Sequence, residues 1–121
     1  MAEHNELGMM GEEMATRLLS GKGYRIRERN WRSGKLELDI IAETGGEIIF
    51  VEVKTRRNDY FTTPKDAITL KKIKNIVMAA DAYIKEHEID LPARFDVIEV
   101  VGTGDDAMID HIEGAFLPPL M

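Results

Sequence analysis

The sequence predicts an α/β protein in which a mixed β-sheet is flanked by helices. Three observations predict this class. Helical periodicity of apolar residues runs through 5–21 and 63–87. β-prone segments bounded by turn residues fill the stretch between these helices, and another, 94–101, follows Pro92. The predicted order is α-β-β-β-α-β, and 121 residues of which 44% are hydrophobic suffice for one domain, residues 1–121, with a buried core.

The first helix is predicted from apolar residues that recur at steps of three and four: Leu7, Met10, Met14 and Leu18. Asn5 is predicted to cap its start, because a short polar side chain accepts the free N–H groups of the first turn. Gly21 and Gly23 are predicted to end it.

Three strands are predicted to follow this helix. They are 24–31, 35–43 and 47–54, joined by turns at Ser33-Gly34 and Thr44-Gly45-Gly46. The first presents arginines at alternate positions, as expected of a half-exposed strand. The third is apolar on both faces, which favours a central position in the sheet.

The second half of the chain is predicted to hold one helix and two strands. Residues 55–63 are polar and are predicted to form a loop. Thr63 is predicted to cap a helix that has Pro64 in its first turn and ends near residue 87. A strand at 94–101, a turn at 102–106 and a short strand at 108–112 complete the prediction.

Composition excludes several classes of protein. The absence of cysteine excludes disulfides and thiolate metal sites, and it favours a reducing cytoplasm. The longest aliphatic or aromatic run, Ile48 to Val51, is too short to cross a bilayer, so no membrane association is expected. The first six residues lack the cationic and apolar parts of a secretory signal. His4, His87 and His111 are scattered, so no zinc site is expected.

Charge is distributed unevenly along the chain. The net charge is −6, which speaks against a nonspecific nucleic-acid binder. Residues 17–74, however, hold 14 Lys and Arg against 8 Asp and Glu, and the remainder holds 2 basic and 14 acidic residues. This middle segment either forms a positive face for a polyanion or is an ordinary solvated surface.

The most informative residues are Asp39, Glu52 and Lys54. Asp39 and Glu52 lie thirteen positions apart on strands joined by a tight glycine turn, so an antiparallel hairpin can bring them side by side. Glu52 and Lys54 are two residues apart and therefore emerge on one face of a strand. Two close carboxylates repel each other, and a divalent cation such as Mg²⁺ or Mn²⁺ removes that conflict. The carbonyl of Val53 is a further candidate ligand.

The alternative is a structural ion-pair network on an exposed sheet face, which contributes little to stability. Glu37 shares the parity of Asp39 and either faces the same cleft or is a solvated strand residue, with the second interpretation favoured.

An Asp…Glu-x-Lys pattern on a β-hairpin, preceded by a helix with a glutamate, resembles the PD-(D/E)xK nuclease superfamily and its restriction-endonuclease-like fold. The resemblance extends to the YraN-like family of small bacterial proteins, which is similar to archaeal Holliday-junction resolvases. It rests on an ordered set of motifs: Gly11-Glu12, Gly23-Tyr24, Arg29-Asn30-Trp31-Arg32, Glu37-Leu38-Asp39-Ile40-Ile41-Ala42, Phe50-Val51-Glu52-Val53-Lys54-Thr55-Arg56 and Phe95-Asp96-Val97.

The resemblance implies a role for four residues. Asp39 and Glu52 match the metal-binding carboxylates, Lys54 matches the catalytic lysine, and Glu12 matches a first-helix glutamate that completes the metal site, often through water. Two positions depart from the patterns. Leu38 replaces the proline of the superfamily name, and Leu36 stands where the YraN-like pattern has glycine.

Phosphate contacts are predicted among the basic residues of the middle segment: Arg25, Arg27, Arg29, Arg32, Arg56, Arg57, Lys71, Lys72 and Lys74. Arg56 and Arg57 are favoured because they directly follow Lys54. Tyr60 and Phe61 either stack on an unpaired base or pack under their loop, with packing favoured. Trp31 is expected to pack in the core or at its rim.

The leading hypothesis is a Mg²⁺- or Mn²⁺-dependent endonuclease acting on DNA, including branched or damaged DNA in repair or recombination. The alternative is an inactive nucleic-acid-binding module of a repair or DNA-uptake complex. A third interpretation is an adaptor that uses the apolar tail from Phe116 to Met121. The size of the chain and the dyad symmetry of DNA junctions favour a homodimer.

Overall fold

The computed structural model describes residues 2–57, 68–102 and 104–118. These residues contain two α-helices and a five-stranded sheet. In chain order the elements are α1 (Ala2–Gly21), β1 (Arg25–Ser33), β2 (Leu36–Thr44), β3 (Glu47–Arg56), α2 (Leu70–Glu86), β4 (Ala93–Val101) and β5 (Met108–Ile112), with a 3₁₀ turn at Gly104–Asp106 before β5.

The sheet is mixed, as predicted, and has the order β1-β2-β3-β4-β5. β3 and β4 are parallel, while the other neighbouring pairs are antiparallel. A parallel pair needs a crossover connection, and α2 lies in the segment that provides it. β3 is the central strand, which confirms the prediction made from its apolar character on both faces.

A helix covers each face of the sheet. The core beneath α1 is formed by Ala15, Leu19, Ile40, Ile49, Val51, Ile98 and Val100. The core beneath α2 is formed by Leu38, Ile41, Ile48, Phe50, Ile76, Ala79, Ala80, Tyr83 and Phe95. Trp31 packs against this second core and meets the Tyr83 ring edge-on at 5.1 Å between centroids, in agreement with its predicted packing role.

α1 begins earlier than predicted. It starts at Ala2, so Asn5 lies inside the helix, and the prediction that Asn5 caps its start is wrong. The helix ends at Gly21 as predicted. Gly23 follows with φ = +91°, and the Tyr24 N–H bonds to the Leu19 carbonyl at 3.0 Å. This closure needs a left-handed backbone that glycine adopts without steric cost.

The hairpin between β2 and β3 is confirmed. Gly45 and Gly46 have φ values of +56° and +80°, which is the backbone required by a two-residue hairpin turn. The preceding turn lies one residue later than predicted, since Ser33 still belongs to β1.

Two boundaries around α2 differ from prediction. Thr55 and Arg56 extend β3 rather than beginning a loop. Residues 68 and 69 are not helical, so one continuous helix from 63 to 87 is wrong, and α2 begins at Leu70. Thr69 is the cap, and its hydroxyl accepts the Lys72 N–H at 3.1 Å. The predicted start at Thr63 and Pro64, like Tyr60 and Phe61, lies outside the described residues.

Asp96 on β4 is fully buried. It accepts hydrogen bonds from Arg94 Nε and Nη2 at 2.9 and 2.8 Å, and from the Gly114 N–H at 3.0 Å. His111 Nε2 lies 2.7 Å from its Oδ2, and Lys22 Nζ donates to His111 Nδ1 at 2.8 Å, so the imidazole proton is on Nε2. Burial raises the pKa of Asp96, but these donors outweigh it and hold the pKa below its usual value.

The segment after β5 returns to the sheet. The Ala115 N–H bonds to the Phe95 carbonyl at 2.8 Å, and Phe116 stacks on Phe95 with 5.3 Å between ring centroids. Leu117 is exposed, and residues 119–121 of the predicted apolar tail lie outside the described residues. In the part of the chain that the structure describes, no helix has the length and apolar character needed to cross a membrane.

Candidate functional site

Asp39 and Glu52 meet where the pairing of β2 with β3 ends. The last residue pair of that register joins Ile40 to Val51. Asp39 precedes Ile40 and Glu52 follows Val51, so the two carboxyl groups lie on neighbouring strands within hydrogen-bonding reach. The hairpin thus brings together the two acids that lie thirteen positions apart in the sequence.

The Asp39 carboxylate is fixed by the backbone of β3. Its Oδ2 accepts the Val53 N–H at 2.8 Å. In a strand the N–H and carbonyl of one residue point to the same side, so the Val53 carbonyl is also directed toward β2. Three oxygen donors, two carboxyl groups and one carbonyl, therefore face the end of this ladder.

An irregularity in β1 and β2 accompanies this arrangement. The register passes from the pair Arg29–Ile40 to the pair Trp31–Leu38, which places Asn30 opposite Asp39. Asn30 has φ = +54°, a left-handed conformation that asparagine tolerates better than most residues. In a regular strand, Leu38 and Ile40 would face the same side of the sheet. On β2, however, Leu38 packs beneath α2 and Ile40 packs beneath α1, so the alternation of faces is interrupted at Asp39.

The ionised forms of both acids are poorly stabilised by their surroundings. Burial raises the pKa of Asp39, although the Val53 N–H and Lys72 oppose the change. Burial and the neighbouring charge of Asp39 raise the pKa of Glu52 to about 8. Two close carboxyl groups in a low-dielectric setting do not both ionise readily, so the pair holds one proton near neutral pH.

One lysine pairs with Glu52, and a second lies on the same face of β3. Ile48 and Phe50 pack beneath α2. Glu52 and Lys54 follow them at alternate positions of β3 and therefore lie on the same face of the sheet. Lys72, on the first turn of α2, places its Nζ 3.5 Å from Glu52 Oε2. The ion pair at Glu52 is thus made by Lys72, which the sequence indicated only as a phosphate contact.

Glu12 approaches the site from α1. The helix comes very close to β3 at Gly11, where an added methyl group would overlap the hydroxyl of Thr55. Burial raises the pKa of Glu12, the charge of Asp39 raises it further, and a hydrogen bond with Asn30 opposes both. Within the described ranges, no three His, Asp or Glu side chains are close enough together to hold a metal ion.

A groove of about 750 Å³ opens beside Glu12. Its lining combines the methionines of α1 with Glu12, Arg29 and Asn30. Two of the apolar residues that predicted α1, Met10 and Met14, therefore also line a surface next to Glu12.

Several of the predicted phosphate contacts pair with acidic side chains. Arg29 pairs with Glu13 at 3.2 Å, Arg32 pairs with Glu37 at 2.8 Å, and Arg56 pairs with Glu99. Arg57 and Lys71 are exposed. Glu37 is exposed and pairs with Arg32, as expected of a solvated strand residue, and its charge also raises the pKa of Asp39 and of Glu12.

The sequence did not indicate two features that shape the site. One is the close approach at Gly11, for which the only local signal was a glycine inside an amphipathic helix. The other is the hydrogen bond between Asn30 and Glu12, which joins β1 to α1. Both contacts join distant parts of the chain.

The fold and this carboxylate pair define a small α/β protein with an acidic site at the end of its central hairpin. The chain belongs to the uncharacterised protein family UPF0102, whose model matches residues 11–100.

Relatives within this family align over nearly the whole chain. A UPF0102 protein of Bacteroides thetaiotaomicron is 55% identical over 120 residues, and one of Phocaeicola vulgatus is 54% identical over 120 residues; both alignments cover 99% of each chain. A UPF0102 protein of Christiangramia forsetii is 45% identical over 116 residues, covering 96% of this chain and 98% of the relative. These names specify no activity, so function is argued from the site.

Proposed function

We propose that this protein is a metal-dependent endonuclease that hydrolyses DNA phosphodiester bonds, with a restriction-endonuclease-like fold of the PD-(D/E)xK type. The observation that carries the proposal is the partly buried pair of Asp39 and Glu52, which lacks compensating positive charge, with Lys54 two residues further along the same strand face. The parallel pairing of β3 with β4 and the helices on both faces support the fold assignment.

The donor set fits a hard divalent cation. It consists of oxygen atoms from Asp39, Glu52 and the Val53 backbone, the type of ligand that Mg²⁺ and Mn²⁺ prefer. The raised pKa values indicate that the carboxyl pair lacks positive charge. Glu12 would support the site from α1 through water. When bound, such an ion supplies Lewis acidity beside the scissile phosphate.

The side chains of the protein position the reactants. Lys54 would orient the attacking water or offset the charge that develops on the phosphate. The water loses a proton as its oxygen forms a bond to phosphorus, the opposite phosphorus–oxygen bond breaks, and the leaving oxygen takes up a proton. The attacking and leaving oxygens would lie roughly in line on opposite sides of phosphorus.

The DNA partner would be bound by cations around this site, of which all but Arg56 are exposed. Arg29, Arg32, Arg56, Arg57, Lys71 and Lys72 are the proposed phosphate contacts. Branched or damaged DNA is the proposed substrate class, and a homodimer would match the dyad symmetry of a four-way junction. A DNA substrate places the proposed activity in the cytoplasm. The absence of cysteine agrees with that reducing compartment.

One observation favours an inactive DNA-binding module as the second candidate. In the described part of the chain, the paired acids are not joined by a third close His, Asp or Glu, and Lys72 already supplies one positive charge to Glu52. Such a module would bind DNA in EDTA and yield no product with any divalent metal.

The proposal is tested by incubating linear, flapped and four-way DNA with the protein and Mg²⁺ or Mn²⁺. We expect metal-dependent cleavage that Asp39→Asn and Lys54→Ala abolish. Glu37→Gln is the matched control, because Glu37 is an exposed acid on the same strand as Asp39 and should be dispensable. Cleavage by folded Asp39→Asn protein, or no cleavage of any substrate by the wild type, would overturn the assignment.

A further inference from the structure

The first turn of α2 has an unusual charge distribution. Lys71 and Lys72 occupy it, Lys74 follows, and the turn contains no acidic residue. The N-terminal end of a helix carries partial positive charge, so acidic residues stabilise it and basic residues do not. A local preference that a sequence violates in this way often marks a functional position.

Of these lysines, Lys72 alone pairs with the site among the described residues. Its Nζ lies 3.5 Å from Glu52 Oε2, with 50% of the Lys72 side chain exposed and only 14% of the Glu52 side chain exposed. The pairing therefore joins a buried acid to a flexible cation that reaches it from solvent. Lys71 is exposed on the same turn and provides a natural comparison.

The charge of Lys72 only partly satisfies the two acids. One ammonium group, 3.5 Å from Glu52 Oε2, faces two carboxyl groups that lie within hydrogen-bonding reach of each other. A divalent cation at the same oxygens would satisfy them more fully and would repel the ammonium group at this short distance. Because Lys72 is half exposed, rotation of its side chain can take the ammonium away from the pair.

We infer that Lys72 is an exchangeable counter-ion: it leaves Glu52 when a divalent cation binds there, and it then contacts the DNA backbone. The inference rests on the proposed function and adds to it a coupling between metal binding and DNA binding. By linkage, the metal would raise the affinity for DNA and DNA would raise the affinity for the metal by the same factor.

The test measures the salt dependence of DNA binding by fluorescence anisotropy, with a labelled duplex, in EDTA and in Ca²⁺. Gel electrophoresis checks that the duplex stays intact. Each lysine–phosphate contact contributes about 0.9 to the slope of log K against log salt concentration. Relative to wild type, we expect Lys72→Ala to leave the slope unchanged in EDTA and to make it less negative by about 0.9 in Ca²⁺.

Two further variants control this comparison. Lys72→Gln keeps most of the side-chain stem and should reproduce the result of Lys72→Ala, which separates loss of charge from loss of packing. Lys71→Ala removes the same charge from the same turn without breaking the pair with Glu52. Its effect on the slope should be equal in EDTA and in Ca²⁺.

Equal slope changes for Lys72→Ala in both conditions would identify Lys72 as a constant phosphate contact and overturn the inference. No change in either condition would do the same, since Lys72 would then be a structural partner of Glu52.

If the wild type cleaves DNA in Mg²⁺ and either result is found, only the inference fails. A Ca²⁺-dependent slope change without cleavage in Mg²⁺ leaves the inference standing and removes the hydrolase proposal. Absence of DNA binding by the wild type removes both.

Discussion

A shared proton is the defining property of the carboxylate pair. Glu52 is buried beside Asp39, and its pKa is raised to about 8, while the pKa of an unfolded glutamate is about 4.3. The folded protein therefore binds a proton that the unfolded chain releases as pH rises above that ordinary value. The stabilisation from this proton is complete below about pH 4 and is lost as pH rises through about 8.

This linkage predicts how stability depends on pH. Metal-free wild-type protein should lose unfolding free energy between about pH 5 and pH 8, because Glu52 must ionise beside Asp39. Glu52→Gln cannot ionise and should remove most of that dependence. Urea denaturation in EDTA at several pH values measures both profiles.

Glu37→Gln serves as the control for the pH profile, since Glu37 is exposed and paired with Arg32. It should leave the slope between pH 5 and pH 8 close to that of the wild type. A Glu52→Gln protein with the same pH dependence as the wild type would show that the proton is held elsewhere.

At the scale of elements, the position of Glu12 depends on how closely α1 approaches β3. Gly11 allows this approach, because any β-carbon there would overlap the Thr55 side chain. Gly8 lies one turn earlier in the same helix and has open space around it. The two glycines therefore separate the effect of close packing from the effect of helix propensity.

Gly11→Ala and Gly8→Ala should change the stability of the protein in opposite directions. Gly11→Ala forces α1 away from β3 and should reduce the unfolding free energy by about 1–3 kcal/mol, the usual cost of overpacking. Gly8→Ala should increase it by up to about 1 kcal/mol, since alanine is the better helix former. Chemical denaturation of the two variants and the wild type measures these changes.

A compensating substitution tests the contact directly. Thr55→Ala in the Gly11→Ala background removes the overlapping hydroxyl and should recover part of the lost stability. If Gly11→Ala were as stable as Gly8→Ala, the close approach of α1 to β3 would not position Glu12.

The hairpin explains why the sequence predicts this site better than its surroundings. Gly45 and Gly46 specify a turn, the turn specifies a register, and the register places Asp39 beside Glu52. Each step depends on neighbours in the chain.

Other features depend on contacts between distant segments, which no local pattern reports. Thr69 replaces Thr63 as the cap of α2, because residues 68 and 69 are not helical, and both threonines are plausible caps from sequence. Lys72 reaches Glu52 only because α2 packs over β3. His111, dismissed as a scattered histidine, lies within a buried network around Asp96 that joins β4, β5 and the end of α1.

At the scale of the whole molecule, the central question is how a chain with net charge −6 would bind DNA. The basic side chains near the site are largely held by acidic partners. Arg29 pairs with Glu13 and Arg32 pairs with Glu37, and all four side chains are exposed by more than a third. Exposed pairs of this kind contribute little, so a phosphate can replace the acid at small cost.

Neutralising these acids should therefore strengthen DNA binding. The double variant Glu13→Gln/Glu37→Gln frees Arg29 and Arg32 for phosphate while keeping the shape of each side chain. Because exposed pairs are weak, affinity should rise roughly two- to thirtyfold at low salt. The gain should shrink as ionic strength increases, because exposed charges are screened.

The matched control is Asp81→Asn/Glu86→Gln, which changes net charge equally near the C-terminal end of α2. Asp81 pairs there with Lys85 at 2.8 Å, far along the helix from Lys72. Titration of labelled duplex DNA with both variants, compared with the wild type, measures the difference. If the arginines beside the carboxylate pair bind phosphate, the first variant gains several times more affinity than the second. Equal gains would mean that only net charge matters, and the proposed DNA surface would lie elsewhere on the molecule.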